Sequence, residues 1–417
     1  MRILVLAINY WPERTGNAIF VIGRCEYLAS RGHDVTVCTG FPYYPEWRVG
    51  EDYRHRLFAR EERNGVKIVR SYLYVPSQVT TLRRVIHEAS FVASNLFTAL
   101  GSERPDVLLV ISAPLALGVS GFMLSRLWRI PYVFHVQDLQ PDAAGDLKML
   151  PAPVIKVLYR LERFAYDRAT LVTALTEGMR RRIIAKGVAP GKVEVFSHCA
   201  DDDLFGIPAQ GAGLEFRRRF GLENKFLVVH AGNMGVKQGL GAVVSAAEMS
   251  RNDLGIQYLL VGDGVERPAL EARVKSSGLS NVTFLPLQPR ETFRDMLGGS
   301  DVCLITEKRS VGDILFPGKM LTYMTAGRPV IASVDAESEA ARVVRDSGAG
   351  AVVPPEDPCA LFDAILKLRS DELKRHAMGD RARAYARTQW NPPRVLGQME
   401  SRLERLIETA GSRTEAA

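Results

Sequence analysis

A glycine-rich segment in the second half of the chain carries one lysine: Gly232-Asn-Met-Gly-Val-Lys-Gln-Gly239. It follows an apolar run and precedes a helical pattern, so its glycines let backbone N–H groups approach a phosphate at the start of a helix. Lys237 adds a full charge. No Gly-Lys-Ser/Thr is present, so the segment is not a Walker loop and ATP hydrolysis is not indicated. A plain turn would not need these residues, and we predict that Gly232, Asn233 and Lys237 bind a diphosphate.

A second cationic helix start lies between Asp313 and Ala332. Pro317 and Gly318 can open a short helix whose first N–H groups, with Lys319 beside them, face an anion. Taken alone, this helix could merely pack in the core. Together with Lys237, it predicts that two cationic helix starts in one domain hold one diphosphate.

Two glycines also mark the strand-to-helix turn from Leu260 to Glu266. A nucleoside base or ribose could lie along Gly262, Gly264 and Glu266 at the edge of a sheet, where open α/β folds bind ligands. A tight turn without a ligand explains the same residues equally well.

Two segments of the first half are candidates for the substrate cleft. Gly16 and Asn17 lie in a loop after the first apolar run, where backbone N–H groups can approach a substrate. An ordinary loop before a helix would have the same sequence pattern. No Gly-x-Gly-x-x-Gly is present, so a nicotinamide cofactor is not indicated. His135 and Asp138 end a later strand, and we predict that they reach the cleft; a lone histidine is more often a core residue. Asp201-Asp-Asp203 is interpreted as a loop, because adjacent carboxylates rarely converge on one metal ion.

The elements that must position these residues alternate between apolar, β-branched runs and helical stretches, which is typical of doubly wound parallel sheets. We predict an α/β protein with a domain at 1–205, a linker at 206–213 rich in Gly and Pro, a second domain at 214–385 and terminal helices at 386–417. The predicted strands are Ile3–Ile8, Asp34–Thr39, Lys67–Tyr72, Val107–Ile111, Tyr132–Val136, Leu171–Ala174 and Val193–Phe196, then Phe226–His230, Gln257–Val261, Val282–Phe284, Val302–Ile305, Val330–Ala332 and Ala351–Val353.

Composition narrows the class of protein. The 417 residues are 47% hydrophobic and 24% charged, as in soluble globular proteins, and the five cysteines form no CxxC pair, which argues against a disulfide framework or a zinc site. A net charge of +7 indicates an anionic partner, and no nucleic-acid-binding motif is present. The uncharged stretch Val107 to Ser125 is interpreted as strand, turn and helix rather than a membrane span.

In this order, the segments resemble retaining glycosyltransferases of the large family four, and most closely a branch that builds bacterial colanic-acid, O-antigen and capsule saccharides, including fucosyl- and N-acetylfucosaminyltransferases. The resemblance covers nearly the whole chain. The residues that carry it are Asn9-Tyr-Trp-Pro-Glu with Thr15-Gly16, Arg31-Gly-His-Asp-Val35, Pro42-Tyr-Tyr-Pro-Glu-Trp47, Val136-Gln-Asp-Leu139, Gly232 to Gly239, and Pro317-Gly-Lys319 through Ala326-Gly-Arg-Pro-Val-Ile-Ala332.

The resemblance implies the GT-B fold, with two Rossmann-like domains and terminal helices that pack back on the first. It implies a UDP- or GDP-sugar donor in the second domain, an acceptor approached from the first, retained anomeric configuration and no metal or other cofactor. Lys237 and Lys319 would stabilise the leaving diphosphate, Gly16 and Asn17 would contact the diphosphate or the sugar, and His135 with Asp138 would orient the donor sugar.

The chain departs from the family at several positions. Many members have Gly-Arg at Gly232-Asn233 and two glutamates where Ile314 and Thr322 align. The Pro-Ser-Lys of the branch appears as Pro317-Gly-Lys319, and a family asparagine aligns with His198.

Acceptors of the branch are often linked to polyprenyl diphosphate, which implies peripheral contact with the anionic inner leaflet from the cytoplasm. The segment Leu82–Phe97 mixes basic and apolar residues at helical spacing, and it is interpreted either as a core helix or as a membrane-docking one. A UDP-sugar epimerase of similar fold and a non-catalytic sugar-nucleotide binder are the alternative functions; the epimerase would need paired carboxylates, which the cleft segments lack.

Overall fold

The computed structural model describes residues 1–13, 16–44, 46–78, 80–146, 150–208, 211–310 and 318–415. The chain divides into two units, one formed by Met1–His198 with Pro393–Ala417 and the other by Cys199–Pro392. Each unit is a mainly parallel sheet with helices, as the α/β pattern predicted.

The sheet of the first unit has eight strands, which are β1 (Arg2–Leu6), β2 (Asp34–Gly40), β3 (Phe58–Arg63), β4 (Val66–Ser71), β5 (Val107–Ile111), β6 (Tyr132–Val136), β7 (Leu171–Ala174) and β8 (Val193–Val195). Their order is β3-β4-β2-β1-β5-β6-β7-β8, and only the β3–β4 pair is antiparallel among the described pairs. Every residue of β5, β6 and β7 is buried, as expected for central parallel strands that are covered on both faces.

The helices between these strands are α1 (Ala18–Ser30), α2 (Thr81–Leu100), α3 (Leu117–Trp128), α4 (Gln140–Asp146), α5 (Ala152–Arg168) and α6 (Glu177–Ala185). The stretch from Val107 to Ser125 is therefore strand, turn and helix, as predicted. In the part of the chain that the structure describes, no helix is both long and apolar enough to cross a membrane.

The second unit opens with α7 (Asp202–Phe205) and α8 (Leu214–Arg219). Its six strands are β9 (Phe226–Ala231), β10 (Ile256–Val261), β11 (Val282–Leu285), β12 (Val302–Thr306), β13 (Val330–Ser333) and β14 (Gly350–Val353). They pair in parallel in the order β11-β10-β9-β12-β13-β14. The helices among and after them are α9 (Gly241–Met249), α10 (Arg267–Ser276), α11 (Arg290–Gly298), α12 (Gly318–Thr325), α13 (Glu339–Ser347), α14 (Pro358–Ser370) and α15 (Glu372–Gln389).

The last helix, α16 (Pro392–Glu415), packs on the first unit. The Glu400 carboxylate accepts hydrogen bonds from Tyr27 and Arg31 near the end of α1, and it lies 2.8 Å from His33 Nε2. Arg402 donates to Glu194 at 2.8 Å. This agrees with the expectation that terminal helices return to the first domain.

All thirteen predicted strands are present, and their ends differ from the predicted ones by at most two residues. The sequence analysis missed β3, in which four of six residues are charged and the side chains alternate between exposed and half-buried. An edge strand of this kind has no apolar run by which to recognise it.

The division between the units falls at 198/199, earlier than the boundary at 205/206 expected from the linker. The reason is that the segment after His198 bonds to the second unit. Ala200 N donates to Trp390 O at 2.8 Å, and Arg290 pairs with Asp201 and Asp203. Asp202 and Asp203, expected in a loop, begin α7, with Asp201 as the N-cap. Residues 209 and 210 of the predicted linker lie outside the described residues.

Candidate functional site

Two glycine loops of the second unit meet where β9 and β10 end. Gly232 N donates to Val261 O at 2.8 Å, and Met234 N donates to Asp263 O at 2.7 Å. Gly262 has φ +134°, and a Cβ built on it would lie 2.0 Å from Gly232 O, so no other residue fits there. The structure thus brings the Gly232–Gly239 loop against the Gly262–Glu266 turn.

The other predicted residues of these loops also lie where the two loops contact each other. A Cβ on Gly264, at φ +155°, would lie 2.7 Å from Asn233 Oδ1, and Glu266 N donates to Met234 O at 3.0 Å. Gly232, Asn233, Gly262, Gly264 and Glu266 therefore form one continuous backbone surface at the carboxyl edge of the sheet.

Lys319 joins this surface from the first turn of α12. Its Nζ lies 2.9 Å from His230 Nε2, at the end of β9, and a Cβ on Gly232 would lie 2.8 Å from Lys319 Cε. Tyr323, one turn further along α12, donates from its hydroxyl to Ala231 O and accepts from Ala231 N. The helix is thus fixed to the strand that carries the first glycine loop.

The electrostatics of the Lys319–His230 pair follow from its enclosure. The residue Lys319 keeps some exposed surface, yet burial of the ammonium end lowers its pKa to about 7, partly offset by the charge of Glu307. Burial, followed by the charge of Lys319, holds the pKa of His230 well below its ordinary value. His230 is therefore a neutral imidazole whose Nε2 accepts a hydrogen bond from Lys319.

Lys237 lies in the same loop, within a single 3-10 turn. Lys308 N donates to its carbonyl at 2.8 Å, which fixes the backbone at this point. No contact among the described residues joins the ammonium groups of Lys237 and Lys319, so the structure places both lysines at one edge of the sheet without pairing them. Gly318 is the first residue of α12; Pro317 and Ile314 lie outside the described residues.

In the first unit, His135 occupies the end of β6 and is fully buried. Its Nδ1 lies 2.8 Å from Thr173 Oγ1. Arg24 of α1 and His198 are buried beside it, and His198 stacks on Phe20 with ring centroids 3.6 Å apart. Burial, then the charge of Arg24, lowers the pKa of both histidines well below the ordinary value. His135 and His198 are therefore neutral neighbours of a buried cation.

This polar cluster has unused hydrogen-bonding capacity. Within the described residues, His135 Nε2, His198 Nδ1 and the Gln137 side-chain amide have no hydrogen-bond partner, although all are buried. Buried polar atoms are normally satisfied, so a ligand or ordered water is expected to bind here. His135 stays a predicted site residue. Asp138 follows the strand and is half-buried beside the start of α4.

Gly16 and Asn17 lie where the first loop enters α1. Gly16 has φ +57°, and a Cβ there would have open space around it. Glycine is therefore favoured at this position by the backbone conformation and not by a lack of space. The Asn17 carbonyl accepts from Phe20 N and Val21 N. Asn17 is connected to the His135 cluster through Phe20, whose ring stacks on His198.

The sequence analysis missed His230, Tyr323 and Arg24 as site residues. His230 lies in an otherwise apolar strand, one residue before its end, and Arg24 interrupts the apolar residues of α1 two positions before Glu26. Each is a polar residue in an apolar run, which is the signal that could have identified it.

One group of side chains in the described residues has the spacing of a metal site, and it lies elsewhere. Ligand atoms of His33, Glu400 and Glu404 lie within 4.8 Å of one another. His33 directly precedes β2, so the group lies at the amino edge of the first unit's sheet, away from the carboxyl edge where β6 ends and His135 lies. Arg31 already pairs with Glu400 at 3.3 Å.

Comparisons with known proteins agree with this arrangement. Residues 19–199 match the model of a glycosyl transferase 4-like domain, and residues 225–371 match that of glycosyl transferases group 1. A protein of Escherichia coli (strain K12), named as a colanic acid biosynthesis glycosyl transferase, WcaI, is 32% identical over 373 residues, covering 88% of this chain and 91% of that protein.

Two further likenesses cover almost the whole chain. A GDP-mannose-dependent alpha-(1-6)-phosphatidylinositol monomannoside mannosyltransferase of Mycolicibacterium smegmatis is 25% identical over 419 residues, 99% of each chain. The crystal structure of Anabaena HepE in complex with UDP has a TM-score of 0.72 at 19% identity, over 97% of this chain and 100% of that one, which shows a shared fold.

The similarity to WcaI and the two matched domains extend over both units, and the fold is that of the GT-B enzymes. The chain belongs to the glycosyltransferase family that joins a glycosyl transferase 4-like domain to a glycosyl transferases group 1 domain.

Proposed function

We propose that this glycosyltransferase moves a sugar from a UDP- or GDP-sugar to a saccharide acceptor in the synthesis of a cell-surface polysaccharide. The bond between the anomeric carbon and the donor phosphate breaks, and a bond from an acceptor hydroxyl oxygen to that carbon forms. The hydroxyl proton passes to the departing diphosphate. The donor class is supported by the GDP-mannose-dependent relative and by the UDP complex of the structural neighbour.

The observation that carries the proposal is the Lys319 ammonium beside the paired glycine loops. Gly232 and Gly262 let the two loop backbones approach each other closely, and Lys319 lies against Gly232 at the start of α12. In sugar transfer the leaving group gains negative charge on the diphosphate. A fixed cation and helix N–H groups at that position stabilise the transition state more than the ground state.

The proposal includes retention of anomeric configuration and independence of metal ions, both of which the family resemblance implies. Lys237 and Lys319 would supply the positive charge that a divalent cation supplies to a diphosphate in other enzymes. The His135 cluster of the first unit, with its unpartnered imidazole and amide atoms, would bind hydroxyls of a sugar.

We also propose that the first unit, which would receive the acceptor, binds peripherally to an anionic membrane surface on its cytoplasmic face. Helix α2 buries His87, Phe91, Asn95 and Ala99, so it is a core helix on one face. Its other face leaves large apolar side chains exposed beside basic residues, an arrangement that suits the headgroup region of a bilayer with anionic lipid. The exposed fractions are 70% for Leu82, 58% for Val85, 46% for Ile86 and 75% for Phe97, and the adjacent basic residues are Arg83 and Arg84.

The donor proposal is tested by thermal stabilisation with UDP, GDP, ADP and NAD in EDTA, since a ligand that binds only the folded state raises the melting temperature. We expect a shift with UDP or GDP alone. Lys319→Ala should abolish this shift, whereas Lys275→Ala, which removes an exposed lysine of the same unit, should keep it. No shift with UDP or GDP, or an equal shift in Lys319→Ala, would contradict the proposal.

The membrane proposal is tested by flotation with vesicles of phosphatidylcholine, with and without phosphatidylglycerol. We expect binding only to the anionic vesicles, weakened by salt. Val85→Asp should abolish it, while Leu373→Asp, at an 84% exposed leucine of the second unit, should not. Equal binding of wild type and Val85→Asp would reject α2 as the docking surface.

A further inference from the structure

An aromatic platform stands beside the first turns of α2 in the first unit. It consists of Tyr43, Tyr44, Trp47 and His87. The ring centroids of Tyr43 and His87 are 4.6 Å apart, and that of Trp47 is 5.3 Å from each of them. Three of the four residues come from the Pro42–Trp47 motif, for which sugar transfer at the second unit gives no role.

A buried carboxylate, that of Glu13, fixes the backbone of the platform through hydrogen bonds. Glu13 Oε1 accepts from Tyr43 N and Tyr44 N at 2.8 Å each, and Glu13 Oε2 accepts from Asn9 at 2.7 Å. Glu13 is 6% exposed, so these bonds are shielded from water. The loop after β2 is thereby fastened to the loop after β1, which makes the platform a preorganised surface rather than a loose loop.

The platform also presents ring surface and an unused acceptor. Tyr44 is exposed, and Trp47 is half-buried, with φ +51°, an angle that bulky residues rarely adopt. His87 Nδ1 lies 2.6 Å from Tyr74 O and so carries the proton. Its Nε2 is buried and has no partner among the described residues. Burial lowers the pKa of His87, and the ring is therefore a neutral acceptor.

From this geometry we infer that the platform binds a pyranose ring of the acceptor saccharide, with the sugar stacked on Trp47 and Tyr44 and one hydroxyl donating to His87 Nε2. The C–H face of a pyranose carries partial positive charge that suits the negative face of an aromatic ring, while its hydroxyls need partners at the edge. The site deepens the proposed transfer, since it names the surface that receives the acceptor.

The position of the platform on the fold fits an acceptor tethered to lipid. His87 lies on the buried face of α2, and Val85 and Ile86 are exposed on the same turn. A saccharide anchored in a bilayer at that turn would reach the platform without leaving the first unit. The charged groups that act on Tyr43 are Glu13, Glu88 and Arg84, so the platform has two carboxylates to one cation and suits a neutral sugar better than a phosphate group.

The test uses saturation-transfer NMR and calorimetry on the whole protein. The probes are the methyl α- and β-glycosides of glucose, galactose, mannose, fucose and N-acetylglucosamine. We expect at least one to bind, with its affinity reduced about tenfold in Trp47→Ala, as loss of an aromatic face predicts. Trp47→Phe should retain most of the affinity, and so should Tyr72→Ala, a control at an exposed tyrosine of the same unit.

Two further variants keep the test informative if Trp47→Ala misfolds. Tyr44→Ala removes an exposed ring, and His87→Leu removes the acceptor atom; each should weaken the glycoside. Absence of binding by every probe, or unchanged affinity in these variants, would overturn the inference. UDP and GDP binding is measured on the same samples. Binding of a glycoside without binding of either nucleotide would contradict the proposed donor site and would support the platform as a sugar-binding surface.

Discussion

The affinity of the second unit for a nucleoside diphosphate should fall steeply between about pH 7 and pH 9. The perturbation is pH alone, and the group responsible is Lys319, whose pKa burial lowers to about 7 in the unliganded protein. Only its protonated form offers charge to a diphosphate. As pH rises above 7, the free protein loses this proton and must regain it on binding.

The magnitude follows from that pKa. If only the ammonium form binds, raising the pH from about 7 to 9 weakens the affinity about 50-fold. The titratable groups that face Lys319 among the described residues are His230 from β9 and Glu307 after β12. The pKa of His230 is already well below 6.5, so it stays neutral over this range. Glu307 raises the pKa of Lys319. The terminal phosphate has a pKa of about 6 and is already about nine-tenths ionised at pH 7, so its own charge changes little over this range.

The assay is calorimetric titration of UDP or GDP, whichever stabilises the protein, at constant ionic strength. The matched variant is Lys319→Arg, because a guanidinium stays charged throughout. Its affinity should be independent of pH, and that of Lys319→Met should be low and equally flat. Wild-type affinity that does not change between about pH 7 and 9 would refute the reasoning, and so would the same decline in Lys319→Met.

The unliganded protein supplies a second measurement of the same group. The folded-state pKa of Lys319 lies below its ordinary value of 10.5, so the unfolded chain binds more protons between about pH 7 and 10. Stability should therefore rise with pH over this window, where the enclosed charge is progressively lost. Lys319→Met should be more stable than wild type at neutral pH without ligand, and the difference should shrink as pH rises.

Two other predictions concern the loops. Gly262→Ala should lower the melting temperature and abolish nucleotide binding, because its Cβ would lie 2.0 Å from Gly232 O; Gly278→Ala, another glycine of positive φ but with open space, is the control, and equal effects would contradict the argument. Glu13→Ala should lower the free energy of unfolding by about 2 kcal/mol, since the buried N–H of Tyr43 and the partly buried N–H of Tyr44 lose their acceptor. Glu13→Gln retains a carbonyl oxygen and should recover much of the lost stability, as measured by denaturant unfolding. Equal losses of stability in both variants would contradict a role for the Glu13 hydrogen bonds.

How much of this molecule the sequence predicts depends on whether a feature is local. The apolar runs such as Val107–Ile111 and Tyr132–Val136 predict their strands with correct bounds, because burial on both faces selects β-branched and aliphatic residues. The two glycine loops are likewise visible as turns after strands. Edge strand β3 is not predicted, because every second side chain is exposed to solvent and most of its residues are charged.

Side-chain pairs across the sheet are beyond a sequence pattern. Lys319 and His230 are 89 positions apart, and only the β9-β12-β13 order brings α12 over the end of β9. Arg24, His135 and His198 likewise come from a helix, a strand and a loop. The family resemblance implies that Lys319 binds a diphosphate, but it does not reveal that the ammonium is enclosed beside a neutral imidazole.

That enclosure connects stability with binding. A lysine whose pKa is lowered by burial makes the empty unit less stable at neutral pH than an apolar residue would, and Glu307 offsets only part of this effect. A bound diphosphate would supply the missing negative charge at the glycine loops. The energy that Lys319 costs the empty protein is then released on binding, and it favours whichever ligand state carries the most negative charge. In sugar transfer that state is the departing diphosphate, so the same burial that destabilises the unliganded unit would favour bond cleavage.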